Sequence, residues 1–204
     1  MYVPKAFQLT DTNEAVRFMQ RFSFATLINI SNNVPVATHL PFVVKHNNGQ
    51  VILSSHLAKP NTQANDLVNG TSLVIFSEPH AYVAPKHYEK ELNVPTWNYI
   101  AVHAYGKANI VDDEIKKLES LEEMIASYDN DYLKQWATLP ADFKLNMSKG
   151  IVVFDILVTD LQGKKKLSQN RSDVDKHAVT EALSKSTDTN EKLISEYMRQ
   201  EPNK

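Results

Sequence analysis

Residues 93–108 read NVPTWNYIAVHAYGKA, and a run of that kind leaves few folds open to the chain. Aromatic and β-branched side chains fit a pleated, half-buried surface, so the run is expected to be a strand. From Asn98 the two-residue period sets Tyr99, Ala101, His103 and Tyr105 on one face and Ile100, Val102 and Ala104 on the other. The Ile100 face reads as core. The other carries rings with polar handles, suited to a flat ligand or to a partner subunit, and alternation alone leaves both open. A second dense patch, Pro79-His80-Ala81-Tyr82-Val83, precedes it.

The rest of the chain supplies more strands and a few helices. Residues 11–22 read as a helix capped by Asp11, with Glu14 three positions on and Ala15, Phe18, Met19 and Phe22 along one face. Residues 24–30 and 34–45 flank an Asn32-Asn33 turn, and two prolines in the second predict bends or an edge position. His46-Asn47-Asn48-Gly49 turns the chain into a strand over 50–55. Short connections predict that these three pair antiparallel. Residues 71–77 read as a central strand, 87–94 as a loop or lid, and 150–161 as a strand buried on both faces, after which Gly163 turns the chain. Helices are expected after Asp112-Asp113, around Tyr132, Leu133 and Trp136, after Ser172 and near Asp188, with 140–149 irregular. About seven strands joined by short turns predict an α+β, mainly β architecture: an antiparallel barrel with peripheral and C-terminal helices. The expected organisation is a barrel domain over 1–171 and a helical extension packed on it over 172–204.

Several function classes fall away on composition. A formal net charge of −2 over 204 residues argues against a general nucleic-acid binder. The absence of cysteine excludes disulfides and thiolate chemistry. No apolar run approaches the length of a membrane-spanning helix, and the start MYVPKAFQL has no signal-peptide pattern, so a cytoplasmic location is the default expectation. His39, His56, His80 and His103 show no metal-clip spacing, and no serine–histidine–acid order marks a nucleophile, so no metal site is expected and catalytic residues stay unassigned. Ser54 to Asn61 ends a strand where a short helix is expected to begin. Hydroxyls, a lysine and free amides at a helix start are the parts of a phosphate cradle, and equally of a capped turn with an exposed lysine.

Five runs carry a resemblance: ATHLPF (37–42), SSHLAKPN (54–61), VIFSEPHAYVAPKHY (74–88), VPTWNYIAVHAYG (94–106) and KKKLSQNR (164–171). In this order, over nearly the whole chain, they resemble the PaiB-type family of FMN-binding split-barrel proteins, grouped as negative transcriptional regulators. The pyridoxamine phosphate oxidases are more distantly similar. The resemblance implies a Greek-key antiparallel split barrel, a homodimer, and FMN across the subunit interface. It assigns the phosphate to Ser54, Ser55, His56, Lys59 and Asn61. The arginine that oxidase relatives add there is absent, and a lysine cannot fork onto a phosphate as an arginine does, so a weaker grip is expected. It puts His39 and Leu40 on the strand that passes the flavin, and Trp97, Asn98, Tyr99 and His103 beside the ring and the partner subunit. Lys166, Ser168, Gln169, Asn170 and Arg171 are expected near the same pocket, where composition alone reads a solvated turn and a helix cap. An isoalloxazine needs a flat wall, donors to its polar edge and a cation for its phosphate, the redox chemistry being its own.

The function so implied is a regulator acting through flavin or ligand sensing. The alternatives are a flavin-dependent oxidoreductase of a small substrate and a haem-binding or haem-degrading protein, since some split-barrel proteins bind haem. The chain itself shows no helix-turn-helix, and Lys164-Lys165-Lys166 is too short for a DNA footprint. Any effect on transcription is therefore expected to be indirect or to need a partner.

Overall fold

The structure is a computed structural model that describes residues 1–201. Two units divide the chain: a barrel unit of Val16–Phe76 and His103–Leu161, and a terminal unit of Met1–Ala15, Ser77–Val102 and the residues from Gln162 on. Among the described residues there are nine strands and six α-helices, an α+β fold dominated by antiparallel pairing.

In the barrel unit β2 (Phe24–Ser31) and β3 (Val34–Pro41) form a hairpin in full register, from Phe24 opposite Pro41 to Ser31 opposite Val34. Asn32 and Asn33 both take positive φ, which gives a two-residue turn the twist of its strands. β4 (Val43–Asn47) and β5 (Gln50–Ala58) make a second hairpin, closed by Asn48 and Gly49 at positive φ. The single strand expected over 34–45 is thus two, because its halves pair with different neighbours. With β6 (Ser72–Phe76), β8 (Thr96–Ile110) and β9 (Ile151–Lys166) the strand order is β3-β2-β6-β8-β9-β5-β4. β3 stands at one end, so Pro35 and Pro41 lie on an edge where a missing N–H costs little. Phe42 packs its ring 5.9 Å from Phe76 and 6.4 Å from Phe154 at the core.

Three helices follow β8. α2 (Glu114–Tyr128) is capped by Asp113, which accepts from the Lys116 N–H, and α3 (Asn130–Thr138) by Asp129. Residues 140–149, expected to be irregular, contain α4 (Ala141–Ser148). Pro140 precedes its first turn and Asp142 sits in that turn, both favourable at a helix start. Its Phe143 and Met147 are exposed, so the helix lacks the apolar stripe that would have announced it.

β9 also differs from expectation. Val153 and Phe154, neighbours that point to opposite faces, are both buried, so the strand is buried on both faces there as expected, but it runs on through Gly163 to Lys166 without turning. The glycine serves close approach: a Cβ there would lie 2.7 Å from the Leu9 Cβ, where β1 (Gln8–Leu9) pairs with β9. In the terminal unit β7 (His80–Val83), after a cis Glu78–Pro79 bond, pairs with the start of β8. α5 (Asp173–Ser184) and α6 (Thr189–Gln200) are capped by Ser172 and Asp188, as expected. α1 (Thr12–Arg21) begins where the Asn13 N–H donates to Asp11 Oδ1.

Gly106 is the most crowded glycine of the barrel unit. An added Cβ would fall on the Leu157 carbonyl oxygen and the Ile156 side chain. Gly106→Ala should lower stability by about 1–3 kcal/mol, the cost of overpacking, read as a lower urea midpoint; an unchanged midpoint would refute the contact.

Candidate functional site

Alternation along β7 and β8 builds one exposed face in the terminal unit. Ala81 and Val83 turn inward and His80 and Tyr82 outward. Asn98 and Ile100 turn inward while Trp97 faces solvent and Tyr99 is half-buried. The register sets Tyr82 opposite Trp97 and His80 opposite Tyr99. Tyr82 meets Trp97 edge-on, with ring centres 5.7 Å apart, and His80 lies 5.9 Å from the same indole. Trp97 is 52% and Tyr82 44% exposed, high for side chains that normally bury their rings.

The end of β9 adds charge to that face. Lys164 Nζ sits 5.2 Å above the Tyr99 ring and donates to the Tyr2 carbonyl. Lys166 Nζ donates to the Trp97 carbonyl at 2.8 Å and to Thr96 Oγ1. Lys165, one residue between them, turns to the other side and pairs with Glu14 (2.6 Å) and Glu201 (2.5 Å). Arg171 stacks 4.3 Å over Tyr88 and donates to Asn93 Oδ1 at 2.8 Å. Lys164, Lys166 and Arg171 therefore meet neutral oxygens and rings. Burial lowers the Lys166 pKa, and the charges of Lys164 and Arg171 lower it further. Three cations crowd one place, and an anion there would relieve their repulsion.

Other residues of the same motif face inward. Asn98 is fully buried, and its amide bonds Ser168 Oγ. Gln169 closes its own turn, accepting from the Leu167 N–H at 2.7 Å and donating to the Lys165 carbonyl at 2.6 Å. Asn170 is exposed. Neither Asn98 nor Ser168 shares the outward face of Trp97 and Tyr99.

In the barrel unit the expected phosphate residues lie close along the chain, but most of their donors are engaged. Ser54 Oγ donates to Asp155 at 2.5 Å and Ser55 Oγ to the Pro41 carbonyl at 2.7 Å. The expected helix after Pro60 is a five-residue 3-10 turn, Thr62–Asp66. Its amides are used within the turn: Asn61 N–H bonds the Ala58 carbonyl, Gln63 N–H the Asn61 side chain and Ala64 N–H the Asn61 carbonyl. These three amides are thus engaged as in a capped turn. Burial lowers the His56 pKa and favours the neutral ring, which leaves Lys59, exposed at the strand end, as the cation of this stretch. His39 is exposed, bonded to Thr26 Oγ1 at 3.0 Å and stacked on Phe24, and Leu40 is buried on the opposite face of β3. His103 has its pKa lowered by burial, and its buried Nδ1 has no hydrogen-bond partner. Among the described residues no three of His, Cys, Asp or Glu are grouped to hold a metal ion.

Sequence reasoning reached Trp97, Tyr99, Lys166 and Arg171 but passed over Tyr82, His80, Lys164 and Tyr88. The signal for the first three was present in the alternation of β7 and of the lysine run. What was missing was the pairing that brings those strands together.

Residues 1–160 match a family model described as an FMN-binding domain. Protease synthase and sporulation protein PAI 2 of Bacillus subtilis is 39% identical over 204 residues, covering 97% of this chain and 96% of that protein. Two solved structures share the fold. The flavocytochrome Anf3 of Azotobacter vinelandii is 16% identical, with a TM-score of 0.65 over 81% of this chain and 72% of that one. An FAD and heme binding protein of Mycobacterium smegmatis is 15% identical, with a TM-score of 0.61 over 84% of this chain and 79% of that one.

The charge beside Trp97 can be read by quenching. In a Trp136→Phe background, which removes the buried second tryptophan, iodide should quench Trp97 more strongly than caesium does. Lys166→Ala should shrink that difference, whereas equal quenching by both ions would deny a positive face.

Proposed function

The chain belongs to the FMN-binding family whose model spans its residues 1–160, and on that premise we propose that its flavin lies on the Trp97 face of the terminal unit. One observation carries the reading: outward rings and two lysines with neutral partners share a single sheet face, with the charge of Arg171 close enough to act on Lys166. The exposed Trp97 indole, with Tyr82 edge-on beside it, supplies a flat surface for a planar ring, and Lys166, Lys164 and Arg171 supply charge for a phosphate. FMN, when bound, supplies the redox chemistry of its own ring. The chain's part is to hold that ring and neutralise its phosphate. Lys59 of the barrel unit offers a single exposed cation, a weaker set for the same anion.

The reading extends to regulation through flavin or ligand state, without direct DNA contact. Its support is the 39% identity to a protein named for protease synthesis and sporulation. A cytoplasmic setting goes with it; among the described residues no helix is long and apolar enough to cross a membrane.

A homodimer belongs to the same proposal. In the barrel unit the outward side of β2, β3 and β6 carries Phe24, Ile28, Ile30, Ala37, Leu73 and Ile75 around the Thr26–His39 pair. Phe24 is 68% and Ile30 57% exposed. A solvated antiparallel face normally alternates to polar residues, so an apolar one favours a second copy as its cover.

Titration of the purified protein with FMN, followed by flavin fluorescence and absorbance after gel filtration, tests the flavin reading. Lys166→Ala should weaken binding about tenfold, as loss of a charge-assisted contact does. Unchanged affinity in both Lys166→Ala and Trp97→Ala would overturn it, as would a retained haem band with no flavin. A larger loss in Lys59→Ala would move the phosphate to the barrel unit. Sedimentation tests the dimer: Phe24→Asp should convert it to monomer, and a wild-type monomer at micromolar concentration would remove the proposal.

A further inference from the structure

Ser168 holds a backbone conformation that its side chain disfavours. Its φ is +63°, in the left-handed region where glycine is the usual residue, and it is only 3% exposed. Its hydroxyl does specific work. Asn98 Nδ2 donates to Ser168 Oγ at 3.0 Å, and that hydroxyl donates back to Asn98 Oδ1 at 3.2 Å. Asn98, itself fully buried, also places Nδ2 3.5 Å from Met198 Sδ on α6.

The neighbours of each partner give the pair its meaning. Asn98 stands between Trp97 and Tyr99, the rings of the outward face. Ser168 stands between Lys166 and Arg171, the cations of that face, and its carbonyl accepts from the Arg171 N–H at 3.0 Å. One buried contact thus ties the ring-bearing strand to the cation-bearing segment from behind. A glycine at 168 would relieve the φ and keep the turn, but it would lose the tie.

We infer that Asn98 and Ser168 are positioning residues, whose mutual hydrogen bonds set Lys166 and Arg171 at the correct place relative to Trp97 and Tyr99 for a planar, phosphate-bearing ligand. The inference rests on the flavin reading above and replaces a direct contact of Asn98 and Ser168 with the cofactor by an indirect role. The backbone strain at Ser168 belongs to that role, since such strain persists where the surroundings hold it in place.

Ser168→Gly is the discriminating variant, because it removes the hydroxyl and the strain together. Relief of the strained φ partly offsets the hydrogen bonds lost by buried Asn98, so its thermal midpoint should fall less than that of Ser168→Ala, while FMN affinity falls about tenfold, the scale on which lost support of a binding group is felt. A merely structural serine would not separate the two readouts. Ser168→Ala keeps the strained Cβ and loses the hydroxyl, so it should lose both stability and affinity, and it serves if the glycine variant does not fold. Wild-type FMN affinity in Ser168→Gly would overturn the inference. The iodide-to-caesium quenching ratio of Trp97, taken without FMN in the Trp136→Phe background, separates the two claims. A reduced ratio in Ser168→Gly supports the positioning role even where FMN does not bind, and an unchanged ratio denies it whatever FMN does.

Discussion

The two-residue period at the end of β9 is the constraint on which the terminal unit turns. It sends Lys164 and Lys166 to one side and Lys165 to the other. Lys165 joins β9 to the start of α1 through Glu14 and to the end of α6 through Glu201. Burial works against its charge, but hydrogen bonds and attraction from both glutamates outweigh burial and raise its pKa. For Lys166, one residue on, burial and the like charges of Lys164 and Arg171 act together and lower it. Adjacent lysines are thus driven in opposite directions by strand geometry. One pairs with two glutamates, and the other meets neutral oxygens among like charges.

Polar residues in a suggestive motif need not touch a ligand. Ser54, Ser55, Asn98, Ser168 and Gln169 all have protein partners, as buried polar groups must if they are not to forfeit the cost of leaving water. On the other side of the sheet Trp97 and Tyr82 are exposed, and Lys164, Lys166 and Arg171 meet neutral oxygens and rings. The buried bonds behind that set give it a fixed geometry, which is how a scaffold pre-organises a site without entering it. Relatives at 15–16% identity share the fold alone, and a shared fold leaves function to be argued from the site.

Local chemistry was enough to determine much of the architecture. Asp113, Ser172 and Asp188 cap helices because a short side-chain acceptor beside a helix start has few better partners. Asn32-Asn33 and Asn48-Gly49 turn because these residues tolerate positive φ. Tyr99 and Ile100 point to opposite sides because a strand has period two. These are interactions over a few residues, and the sequence by itself determined them, along with the antiparallel α+β class and the rings of β8. Only the tertiary structure decided that Tyr82 meets Trp97, that Lys164 and Lys166 stand over the same face, that Gly163 makes room for Leu9 and that Ser168 bonds Asn98. Each of these joins segments far apart in the chain. A period fixes which way a side chain points, but the register that chooses its neighbour comes from the packing of the whole.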